Sequence, residues 1–132
     1  MTPFSLLASL AGLSYREAAD LLGVRLDTAK SWASGRNPCR AAVLDELRKM
    51  IATQERAAVG VRDFLAEQQP EAIELGYPAD DAEARALGWP CVGAWAAMAA
   101  RVIAASDLPV RLVPRGATAA SQALACGRAD DL

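Results

Sequence analysis

Apolar residues recur at helical spacing along most of the chain, and glycine or proline interrupts them at defined points. Phe4, Leu6, Leu7 and Leu10 form the first stripe, opened by Thr2 as N-cap with Pro3 at the first helical position and stopped by Gly12. A second, shorter helix is expected after Ser14. Ser14-Tyr15-Arg16-Glu17 has the capping-box spacing, in which the serine hydroxyl accepts from the Glu17 backbone and the Glu17 carboxylate reaches back. Ala18, Ala19, Leu21 and Leu22 form its buried side, and Gly23 ends it in a left-handed turn. A third helix is predicted over 26–34, with Ala29 and Trp32 inward and Gly35 closing it.

Beyond Pro38 an amphipathic stretch runs over 39–69 and stops at Pro70. Val43, Leu44, Leu47, Met50, Ile51, Ala57, Ala58, Val61, Phe64 and Leu65 recur in it at steps of three and four. Gly60 lies inside it and predicts a kink or break there, or close packing of a partner, because an interior glycine costs about 1 kcal/mol relative to alanine. The alternation Ile73-Glu74-Leu75 reads as a short strand within 72–77. Asp80 or Asp81 caps a short helix through Leu87, the small residues of 91–105 form a further helix able to pack closely, and Val110–Val113 reads as a second strand. From Arg115 periodicity is lost, and the segment 115–132 is expected to be a disordered tail. The pattern is mainly α with one or two short strands, and divides as 1–56, 57–114 and 115–132.

Charge sharpens this division. The formal net charge of the whole chain is −2, yet residues 1–56 hold eight Arg or Lys against six acids. The remainder carries six against ten, so the field of the N-terminal segment is positive while that of the rest is negative. The absence of histidine excludes His-based acid–base catalysis and His-containing metal sites. Cys39, Cys91 and Cys126 have neither zinc-type spacing nor a disulfide framework. No cofactor is called for. No apolar run reaches the roughly 18 residues of a membrane span, and a reducing cytoplasm is the expected location.

The stretch Leu13 to Arg36 resembles the helix-turn-helix of λ-repressor-like regulators of the Cro and xenobiotic-response-element type. Ala18, Ala19, Leu22, Gly23, Val24, Ala29, Trp32, Gly35 and Arg36 fit that pattern; Ala29 is smaller than the usual Ile or Val, and Ala33 replaces a frequent Glu. The resemblance, good over residues 5–50, implies a five-helix DNA-binding domain followed by a helical dimerisation region. It also implies a dimeric repressor that reads a palindromic double-stranded operator with its third helix in the major groove. Carried over position by position, it sets Arg25, Leu26, Asp27, Lys30 and Ser31 on the exposed, base-facing side. Arg25 would fork onto guanine, Leu26 touch a thymine methyl and Ser31 bond to base edges, while Asp27 would accept from cytosine or only favour the positive helix N-terminus. Arg16, Arg36 and Arg40 would meet phosphates. The later part, with Gly76-Tyr77-Pro78 and Gly88-Trp89-Pro90 leading into a helix, resembles phage and bacterial regulators such as the anti-CRISPR-associated repressors. By that resemblance the surfaces of 43–65 and 91–113 would carry the two-fold contact.

An enzyme is not expected. The acids Asp80, Asp81 and Glu83 sit where a helix cap belongs, and no nucleophile–base pair or phosphate loop accompanies them. Cys39 beside Arg40 at a helix start is read as a structural thiol, although that position can also activate one. An antitoxin that autoregulates its promoter through the same helix-turn-helix and binds a toxin partner remains the alternative to a simple repressor.

Overall fold

Three helices, each stopped by a left-handed glycine, begin the chain. The computed structural model describes residues 1–115. Helix α1 (Pro3–Leu10) opens on a capping box between Thr2 and Ser5, and the Thr2 hydroxyl also donates to the Ala33 carbonyl at 3.1 Å. Helix α2 (Tyr15–Leu22) carries the expected box: the Ser14 N–H donates to Glu17 Oε1 at 2.9 Å, and the Glu17 N–H to Ser14 Oγ at 3.1 Å. Helix α3 (Leu26–Ser34) follows the turn at Gly23, and Gly35 closes it; their φ values of 70° and 82° are conformations that a side chain would strain. The ring of Phe4 meets Trp32 edge-on at 5.5 Å and joins α1 to α3.

Helix α4 (Ala41–Gln68) runs for 28 residues without interruption. The break expected at Gly60 is absent, and no other part of the described chain packs on that glycine, since a Cβ there would meet nothing within 4 Å. The reason is one of scale: about 1 kcal/mol of lost propensity is small beside the packing of a helix this long. Leu47, Ile51, Gln54 and Ala58 form its buried stripe, and the helix ends where Gln69 turns left-handed ahead of Pro70.

The remaining elements make a crossover. Strand β1 (Ile73–Tyr77) leads through α5 (Asp81–Ala86) and α6 (Val92–Ala104) to strand β2 (Val110–Pro114). The two strands pair in parallel, Ile73 beside Val110 through Tyr77 beside Pro114. Parallel neighbours need such a helical connection, because a tight turn joins only antiparallel ones. All three acids of the α5 region bind backbone N–H groups: Asp80 accepts from Glu83, Asp81 from Val92, and Glu83 from Ala79. The fold is therefore mainly helical with two short strands, and among the described residues no helix is long and apolar enough to cross a membrane. The expectation for 115–132 falls, beyond Arg115, outside the described residues.

One core spans the chain from Phe4 to Val102. Helix α6 lies along α4 and reaches the α1–α2 turn, where Gly12 and Gly93 meet. A Cβ on Gly12 would press into the Gly93 carbonyl, 2.8 Å from its carbon, and stand 3.0 Å from Ala97 Cβ. Beside this contact the buried Gln54 amide nitrogen donates to the Ala11 carbonyl at 2.8 Å and to the Ala94 carbonyl at 3.1 Å. Its Oε1 has no partner among the described residues.

Candidate nucleic-acid interface

Helices α2 and α3 form the helix-turn-helix frame. Ala18 and Ala19 are buried on α2, where small side chains let α3 approach. The turn is tied by the Val24 N–H, which donates to the Ala19 carbonyl at 3.0 Å, and Val24 packs half-buried against the core. Ala29, Trp32 and Ala33 are the inward side of α3. With these fixed, Asp27, Lys30 and Ser34 remain exposed, at the i, i+3, i+7 spacing of a single helix face. Arg25 is the exposed N-cap residue, and Leu26 and Thr28 are half-buried at the flanks.

Ser31 departs from its expected place. It is 2% exposed, and its hydroxyl donates to the Thr28 carbonyl at 2.7 Å. At about 100° per residue Ser31 lies only some 40° around the helix from Asp27, so the wheel alone puts it outward. The loop after Gly35 returns over it, with the Asn37 N–H donating to the Ser31 carbonyl at 3.2 Å. Ser34, missed at the sequence level, takes the outward position. The signal for it was available, since Ser34 is seven residues from Asp27 and within about 20° of it on the same wheel.

Arg16 in the first turn of α2, Arg36 in the loop after α3, and Arg40 as N-cap of α4 are all exposed. Among the described residues no ion pair engages Arg16, Arg25, Lys30, Arg36 or Arg40, whereas Arg48 and Lys49 on α4 are bound to Asp45 and Glu46 three residues earlier. The helix starts follow the same division. Thr2, Ser14 and Asp80 cap α1, α2 and α5 with their own side chains. Helices α3 and α4 each begin with an arginine at the N-cap and no side-chain cap; α3 has Asp27 in its first turn, while α4 has no acid there. Helix α6 starts at Cys91 without a cap of its own, and its Val92 N–H is bound by Asp81. An uncapped helix start beside a guanidinium attracts an oxyanion, because both its free N–H groups and its dipole favour negative charge.

Among the described residues, Cys39 and Cys91 add no chemistry to this face. Burial pushes the Cys39 thiol up, so its place next to Arg40 does not activate it. Burial likewise raises the Cys91 thiol, and the neighbouring Glu17 and Asp81 carboxylates add to the rise. Comparison with protein-family models and with curated proteins finds no match to this chain.

The surfaces expected to join two copies are largely occupied within one. Leu47, Ile51 and Ala58 of α4 are buried, and Val43, Leu44, Met50, Ala57, Val61 and Leu65 pack against the same core. Helix α6 supplies the other side of that packing through Ala94, Trp95, Met98 and Val102. What stays outside on α4 is Val59 at 44% and Phe64 at 59% exposure.

Proposed function

We propose that this chain is a sequence-specific double-stranded DNA-binding transcriptional regulator of the cytoplasm, acting as a homodimeric repressor on a palindromic operator. The observation that carries the reading is the set of five exposed cations with no ion pair among the described residues, Arg16, Arg25, Lys30, Arg36 and Arg40, carried by a helix-turn-helix frame and the helix start that follows it. Phosphates are the partners such cations lack. Arg16, Arg36 and Arg40, with the uncapped start of α4, hold the backbone, while Lys30, Ser34, Asp27 and Arg25 face base edges in the major groove. The acidic remainder of the chain is directed away from the duplex.

Selection of bound duplexes from a random pool tests this directly, and a palindromic consensus is expected. On that operator, three phosphate-binding arginines per subunit give about six neutralised phosphates and a log–log salt slope of about −5. Arg36→Ala is expected to lower the slope by about two per dimer and to weaken all sequences alike. An affinity independent of salt, or a pool that yields no consensus, overturns the proposal.

A further inference from the structure

We infer that β2 is where two copies of this chain join, edge to edge and antiparallel, about a two-fold axis at Leu112. The inference takes only the two-fold symmetry from the DNA-binding reading; the seam itself comes from the strand.

The ladder fixes which backbone groups are free. The Ile73 N–H donates to the Pro109 carbonyl and the Arg115 N–H to the Tyr77 carbonyl, both at 2.8 Å. With the parallel register, residues 111, 113 and 115 turn their backbone groups toward β1, so Val110 and Leu112 turn N–H and C=O outward. Among the described residues no strand pairs with that outer edge. An open edge is a template for another strand.

The side chains agree. Ile73, Leu75 and Tyr77 share one face with Val110, Leu112 and Pro114. The β1 half of that face lies on the core, with Ile73 1% exposed, while on β2 Leu112 is 51% exposed and Pro114 is also exposed. The apolar face thus overhangs its own core at the open edge. A two-fold axis perpendicular to the sheet sets the same overhang of a second copy beside it.

Charge selects the register. An axis at Leu112 pairs Leu112 with its copy and Val110 with Pro114, giving four inter-copy hydrogen bonds; the missing proline N–H falls on the outermost pair. An axis at Arg111 also gives four, yet sets two guanidinium groups directly opposite each other, which is destabilising. With the axis at Leu112, Arg111 faces Val113 of the copy and keeps its ion pair with Glu74. An axis at Val113 loses donors to Pro114.

Crosslinking through an introduced cysteine tests the seam in the full-length chain, with Cys39→Ser throughout and Cys126 and the buried Cys91 kept. Directly opposed residues of a hydrogen-bonded pair lie about 5.5 Å apart at Cα, within disulfide reach. Leu112→Cys is expected to oxidise to a covalent dimer bridged at position 112. Val113→Cys, about 8 Å from its copy by the same geometry, is expected to stay unbridged. Leu112→Pro, which removes the outward N–H, is expected to shift sedimentation from dimer to monomer; if that variant does not fold, the crosslinking result stands alone. A bridge formed instead by Arg111→Cys overturns the register. In Leu112→Cys, an intrachain bond from the introduced thiol to Cys126, read by mass spectrometry, means that the chain's own C-terminal segment covers the edge and overturns the inference. A wild-type dimer that Leu112→Cys does not bridge overturns the seam while leaving the DNA-binding reading intact. Sedimentation as a monomer with and without a selected palindromic duplex overturns the seam and the dimeric repressor together.

Discussion

Two helical glycines, Gly60 and Gly93, respond in opposite directions to the same substitution. Replacing a helix-interior glycine with alanine gains about 1 kcal/mol from propensity when the new methyl finds open space. Gly60 meets that condition, with nothing within 4 Å of its Cβ position. Gly60→Ala is therefore expected to raise stability by about 1 kcal/mol, or about 4 °C in Tm for a chain of this size. At Gly93 the methyl would press into the Gly12 carbonyl, with the carbonyl carbon 3.3 Å away, and backbone cannot swing aside as a side chain does. Overpacking of this kind costs about 1–3 kcal/mol and can exceed that against backbone. The propensity gain offsets part of it, leaving Gly93→Ala destabilised by up to about 2 kcal/mol. Urea titrations followed by circular dichroism separate the two, provided the m-value is unchanged. Stabilisation by Gly93→Ala would refute the close approach of α6 to the α1–α2 turn.

Other outcomes follow from the interface and the thiols. Lys30→Ala and Ser34→Ala are expected to relax sequence preference by up to about 1–3 kcal/mol in competition between selected and random duplexes. Ser31→Ala is expected to leave preference unchanged and cost about 1 kcal/mol of stability, for the lost bond to Thr28; a specificity change there would return Ser31 to the base-facing side. Burial raises the Cys39 and Cys91 thiols, so both stay protonated and alkylate slowly at neutral pH, each reacting faster once denatured. Their contribution to stability is complete below the ordinary thiol range. It is lost as pH rises through the raised folded values, because the unfolded thiols ionise first. A thermal-unfolding profile flat through that alkaline range would contradict the burial of Cys91.

The helix-turn-helix is legible in the sequence because its boundaries are local. Ser14 and Glu17 cap each other across three residues, and Gly23 and Gly35 stop helices by their own backbone freedom, so sequence spacing alone locates α2 and α3. Ser31 defeats the same reasoning because its burial depends on Asn37 folding back, which a helical wheel does not contain. The two strands are visible as alternating segments, but their parallel pairing depends on a crossover through α5 and α6. The small residues of 91–105 announce close packing without naming its partner. That partner, Gly12, lies 81 positions away from Gly93, and no periodic pattern connects them. The outward cations are readable as charges; that they form no ion pair among the described residues depends on rotamers and on which helix faces are covered.

The amide of Gln54 also orders events in time. Its nitrogen joins the Ala11 and Ala94 carbonyls, so three segments meet at one side chain. During synthesis helices α2 and α3 are complete long before Ala94 exists. At about 5–20 residues per second, some 2–8 seconds separate Gln54 from Ala94. Over that interval the nascent head holds an amide and the Gly12 carbonyl open to water, and neither is covered until α6 emerges. The head of this protein ripens only when α6 arrives.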